Sequence, residues 1–97
     1  MRRGRRLTVG GLRLVYRPNG RTYARLGLAV SRKYGSAVRR NRLKRRIREC
    51  FRLHAIREVG VDVLVMPVSD WRGTEDVAGD MQRGLERIVG ELRGRRT

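Results

Sequence analysis

The chemistry this chain can do is concentrated in residues 32–48, RKYGSAVRRNRLKRRIR, which hold nine Lys or Arg and no acid. Cationic groups at that density do not attack bonds. They neutralise and orient anions, and the planar fork of Arg grips phosphate through two hydrogen bonds at once. Wound into a helix, Asn41, Lys44, Arg45, Arg48 and Arg52 share one face, and Leu43, Ile47, Cys50, Phe51 and His54 share the opposite one. The stretch reads as a loop entering an amphipathic helix, one side made for a core and the other for a polyanion.

A charge run on a helix is ordinarily a solvated face, and such faces mix both signs. Here they do not mix. Residues 1–48 carry seventeen Lys or Arg and no Asp or Glu, whereas residues 49–97 carry eight basic and nine acidic residues. The formal charge of +16 therefore sits in the first half, where self-repulsion opposes folding unless a partner neutralises it. That partner is expected to be a nucleic acid. An anionic membrane is the lesser rival, because the helix needs its apolar side for a core.

The remaining reactive groups point away from catalysis by the chain. Metal-assisted phosphodiester cleavage needs converging carboxylates or histidines. No acid precedes the basic helix, and the nine acids show no metal-ligand spacing. His54 is the only histidine and has no partner at motif spacing, so a structural role is expected for it. Cys50 is the only cysteine, which excludes an internal disulfide and suggests a buried, reduced thiol in a cytoplasmic protein. No apolar run approaches the roughly 20 residues of a membrane span, and the basic N-terminus lacks the apolar segment of a secretory signal.

Ninety-seven residues allow one small domain, 1–97, with residues 1–6 as a basic arm and 94–97 as a frayed tail. Residues 7–9 and 11–17 read as strand, Pro18-Asn19-Gly20 as a turn, and residues 22–31 as the return strand. With that register Leu14 faces Arg25, and Leu12, Leu14, Tyr16, Tyr23, Arg25, Gly27 and Ala29 share one side of the sheet. Aromatic rings beside Arg and small residues suit stacking of unpaired bases. A second layer of core fits the same residues equally well, and a slip of one residue would exchange the faces.

Ser36 is the expected N-cap of the basic helix, which should run to about Glu58 and stop at Gly60. Residues 61–68 are nearly all apolar and read as a central strand buried on both faces. Trp71 is expected as a lid over the core. Thr74 is the expected cap of a last helix whose stripe is Val77, Met81, Leu85, Ile88 and Leu92. The order strand, strand, helix, strand, helix predicts an α/β two-layer sandwich.

The helix entry carries a resemblance. Arg25-Leu-Gly-Leu-Ala-Val-Ser-Arg-Lys33, then Gly35-x-Ala-Val38, Arg40-Asn-Arg-x-Lys-Arg45 and Arg48, resembles the bacterial ribonuclease P protein component family over nearly the whole chain from Leu7. The resemblance implies a fold like ribosomal protein S5 domain 2, with a left-handed βαβ crossover through the basic helix. It implies partnership with ribonuclease P RNA, which holds the Mg²⁺ and removes the 5′ leader of precursor tRNA in the cytoplasm, with no membrane and no obligatory protein partner. It assigns RNA binding to Arg32, Lys33, Arg40, Asn41, Arg42, Lys44, Arg45 and Arg48, with Arg39 in the same run. It assigns the leader cleft to Leu14, Tyr16 and Ala29, with Arg40 and Asn41, and Arg25 joins them from the mixed sheet face. The aromatic-bearing helix usual before the first strand finds no counterpart in MRRGRR, which puts leader affinity in question. A structural RNA-binding protein, such as a ribosomal component, fits the charge and fold as well. Only the ordered motif from Gly27 to Arg48 speaks against it.

Overall fold

The computed structural model describes residues 4–68 and 76–94. Four strands form one sheet: β1 (Arg5–Val9), β2 (Leu12–Pro18), β3 (Arg25–Leu28) and β4 (Val61–Pro67), in the order β1-β2-β4-β3. Helix α1 (Ala37–Leu53) joins β3 to β4, and α2 (Val77–Gly94) follows β4. The mixed α/β two-layer architecture is as expected, but the strand pairing is not.

The expected hairpin between β2 and β3 does not form. Leu14 pairs with Val65 and Tyr16 with Val63, so β4 lies between them and Leu14 does not face Arg25. The hairpin is instead β1 with β2, where Val9 pairs with Leu12 across Gly10-Gly11. Gly10 has φ +56°, a conformation that suits glycine at such a turn. Arg5 and Arg6 belong to β1, so the expected arm is ordered there. Strand β3 is shorter than the expected 22–31 and runs parallel to β4, because α1 carries the chain back before β4 begins.

This pairing exchanges the faces. Leu14, Val65 and Leu28 lie in one row, and Tyr16, Val63 and Leu26 in the next. Arg25 and Gly27 align with Asp62 and Leu64 on the other side of the sheet. The first side is the core, closed by Leu43 and Ile47 of α1 and by Val77, Met81, Leu85 and Ile88 of α2. Gly84 is buried where α2 crosses β2, and a Cβ there would meet Leu14 Cδ2 at 3.0 Å. Strand β4 is central as expected, but only Val61, Val63 and Val65 are buried, while Asp62, Leu64 and Met66 are half-buried. Both helices pack on one side, so the expected burial of β4 on two faces is corrected to one.

Ser36 caps α1, its Oγ accepting from Arg39 N at 3.2 Å. The helix ends at Leu53 rather than near Glu58. At His54 the backbone turns extended, and its Nδ1 accepts from Ile56 N at 3.0 Å to start a 3-10 turn, Ala55–Glu58. That break swings Ile56, which lies off the helical stripe, fully into the core. The lone histidine is thus a cap. Helix α2 is capped by Asp76, whose Oδ1 accepts from Gly79 N at 2.9 Å. Thr74 and Trp71 lie outside the described residues.

Candidate nucleic-acid interface

Helix α1 bears eight Lys or Arg, and its buried stripe of Leu43 and Ile47 fixes which way they point. Asn41, Arg45, Arg48, Glu49 and Arg52 line a shallow groove of about 590 Å³ along the outer face. Among the described residues, none of the basic side chains of α1 is in a salt bridge. Among the described residues, ion pairs lie elsewhere, as in Arg5 with Glu91, Arg25 with Asp62 and Arg83 with Asp80. Uncompensated guanidinium groups in a row, aimed outward from a rigid helix, bind phosphate oxygens and release their counterions.

Of the expected RNA-binding residues, Asn41, Arg45 and Arg48 come together in this groove. Arg39 and Arg42 are exposed on α1 outside it, and Lys44 is half-buried. Arg40 is half-buried and donates Nη1 to Gly35 O at 2.9 Å, bracing the helix entry. Arg32 and Lys33 are exposed on a 3-10 turn, Arg32–Tyr34, before α1. Arg52, which helical spacing put on this face but the resemblance did not assign to RNA binding, lines the groove, and so does Glu49, which sequence reasoning left out. The spacing of four from Arg48 to Arg52 was the signal for the former.

The expected leader cleft is not assembled. Leu14 is 0% and Tyr16 2% exposed, Leu14 against Gly84 of α2 and Tyr16 bonded to Glu91 of α2. Arg25 lies on the opposite side of the sheet, and Ala29 is exposed beyond β3. Asn41 lines the groove on α1 and Arg40 is tied to Gly35. Arg25 was placed beside Leu14 and Tyr16 by the expected hairpin, and a register that pairs β2 with β3 puts residues of opposite faces on one.

Two buried or half-buried polar clusters explain where the acids went. Tyr16 donates its hydroxyl to Glu91 Oε2, and Arg5 donates to Glu91 Oε1, joining α2 to the sheet. Burial, and then Glu91, push the Tyr16 hydroxyl up to about 12. Asp62 accepts from Arg25 Nε and Nη2, each at 2.7 Å, and from Asn19 Nδ2 at 2.9 Å. Arg25 first, and Asn19 second, hold its carboxyl well below the usual carboxylate range. Burial pushes the free thiol of Cys50 up, which makes it a poorer nucleophile. Beside Asp62 a shallow apolar groove of about 250 Å³ is lined by Arg25, Leu26, Gly27, Asp62, Val63 and Leu64.

Comparison with known proteins points to the ribonuclease P protein family. The sequence model described as Ribonuclease P matches residues 1–89. The ribonuclease P protein component of Thermotoga maritima is 47% identical over 55 residues, covering 56% of this chain and 47% of that protein. That of Staphylococcus epidermidis is 36% identical over 78 residues, covering 77% and 64%. The chain spans about half the length of the Thermotoga relatives it matches. Among solved structures, the ribonuclease P protein from Thermotoga maritima superposes with a TM-score of 0.78 at 34% identity, over 89% of this chain and 84% of that one. The Staphylococcus aureus protein gives 0.75 at 26% identity, over 90% and 83%.

Proposed function

The chain belongs to the ribonuclease P protein family, and on that premise we propose that it is the protein subunit of ribonuclease P. It binds the catalytic RNA along the outer face of α1 and assists removal of the 5′ leader from precursor tRNA in the cytoplasm. The observation that carries this reading is the row of Arg45, Arg48 and Arg52 beside Asn41, exposed and without a salt bridge among the described residues.

The chain's own contribution is electrostatic and positional. Arg45, Arg48 and Arg52 lie on a helix pinned by Leu43 and Ile47, so they meet a phosphate backbone with little loss of backbone freedom. Bond cleavage is assigned to the partner RNA. Asp62, Asp80 and Glu91 are each engaged by an arginine, and His54 spends Nδ1 on a turn. Among the described residues no group of three or more His, Cys, Asp or Glu could hold a metal ion. The described side chains therefore do not fit the Mg²⁺ that the family implies. It is assigned to the RNA. Leu14 and Tyr16 are given no leader contact, since both are core residues.

The test is reconstitution. Purified protein added to ribonuclease P RNA at low Mg²⁺ is expected to stimulate 5′ cleavage of precursor tRNA. Tight binding to ribosomal RNA with no stimulation would instead favour the ribosomal reading. Cleavage by the protein stripped of RNA would overturn the assignment of chemistry to the RNA.

A further inference from the structure

The loop between β2 and β3, residues 19–24, is built as a pedestal. Asn19 N donates to Gly60 O at 3.0 Å and Ala24 N to Arg57 O at 3.0 Å, so both ends are anchored to the turn that follows α1. Asn19 Nδ2 holds Tyr23 O at 3.1 Å and Asp62 Oδ1 at 2.9 Å, while its Oδ1 accepts from Arg21 N at 2.8 Å. A Cβ on Gly60 would run into Arg21 O, so the loop backbone rests directly on that glycine.

What the pedestal carries has no use in the core. Tyr23 is 48% exposed and is not among the residues of the hydrophobic cluster. Arg21 Nη1 donates to the Tyr23 hydroxyl at 3.1 Å, and its guanidinium lies 5.8 Å from the ring centroid. An aromatic ring oriented by arginine on a fixed loop loses little freedom when a flat ligand stacks on it.

Arg57 ties the loop to the end of α1: its Nη1 donates to Arg52 O at 3.1 Å, and its own carbonyl accepts from Ala24 N of the loop. Arg52, Arg57 and Arg21 are all exposed. Asp62 is already neutralised by Arg25, which leaves Glu58 as the exposed acid in the turn beside Arg57.

We propose that this loop is a second RNA contact, in which an unpaired nucleobase of the RNA held along α1 stacks on Tyr23 while Arg21 meets an adjoining phosphate. The inference rests on the reading of α1 as an RNA-binding face, and it commits to that same RNA as the source of the base.

Affinity for ribonuclease P RNA, measured across salt concentrations, tests it. Tyr23→Ala is expected to bind about five- to tenfold more weakly with an unchanged salt slope, since stacking is lost and no phosphate contact is. Tyr23→Phe keeps the ring and should stay within about twofold of the parent. Arg21→Ala should lower the salt slope by about one. RNA substituted with 4-thiouridine should cross-link to residues 19–24 of the unaltered protein. Parental affinity in Tyr23→Ala alongside weakened binding in Arg48→Ala overturns the loop contact and leaves the α1 reading intact. No loss in either variant overturns both. An effect of Tyr23→Ala seen only when precursor tRNA carries its leader moves the base to another RNA and overturns the proposal as stated, as does absence of the cross-link.

Discussion

At the scale of single residues, polar side chains fasten one layer to the other. Asp80 is 3% exposed, and its carboxylate accepts from Gly11 N at 3.1 Å while pairing with Arg83. It therefore clamps the β1–β2 turn to α2. Asp80→Ala leaves a half-buried N–H without its acceptor, and a loss of about 1–3 kcal/mol is expected in denaturant unfolding. Tyr16 supplies a pH signature. Its hydroxyl titrates at about 12 in the folded chain against an ordinary 10.0, so folding favours the protonated form. The stabilisation is complete below pH 10.0 and disappears as pH climbs towards 12. Tyr16→Phe should flatten that alkaline decline in the unfolding midpoint. Asp62 acts in the opposite direction, because Arg25 lowers its carboxyl. Its contribution is present above the ordinary carboxylate range and is lost on acidification. Asp62→Asn should therefore show a shallower acid decline than the parent.

At the scale of elements, the amphipathic periods were legible and the ends were less so. The stripe of α2 and the opposed faces of α1 follow from 3.6-residue spacing, and Val77, Met81, Leu85 and Ile88 are all buried. The end of α1 was not legible, because residues 54–58 have no strong helix breaker. What stops the helix is a contact, Ile56 entering the core, with His54 supplying the cap that lets the chain turn. The glycines of α2 separate by environment. Gly90 has nothing within 4 Å of an added Cβ, whereas Gly84 faces Leu14. Gly90→Ala is expected to stabilise the protein by up to about 1 kcal/mol in thermal or denaturant unfolding. Gly84→Ala should gain nothing or destabilise, since Leu14 would have to shift.

At the scale of the whole molecule, the fold separates hydrophobic and electrostatic duties. One side of the sheet and the inner stripes of both helices form a single core, and the outer side of α1 carries the exposed basic groove. Arg45→Ala and Arg48→Ala should each lower the slope of log affinity against log salt by about one, with circular dichroism unchanged. Ile47→Ala, by contrast, should lose about 2–5 kcal/mol of stability, because its side chain is 0% exposed beneath that face. The two kinds of variant then distinguish a contact with RNA from support of the helix that presents it.

The sequence by itself determined the basic helix, its two faces and the inward alternation of Leu12, Leu14 and Tyr16, since each is encoded by neighbours along the chain. The ordered residues from Gly27 to Arg48 also carried the family. Only the tertiary structure decided which strands are neighbours. A period of two fixes which residues share a face of one strand and says nothing about the strand alongside. Pairing β4 between β2 and β3 buried Tyr16, turned Arg25 to the far side and left Tyr23 on a loop. Arg25 was parted from Leu14 and Tyr16 because that choice is made by distant, apolar Val61, Val63 and Val65 as they take the centre of the sheet.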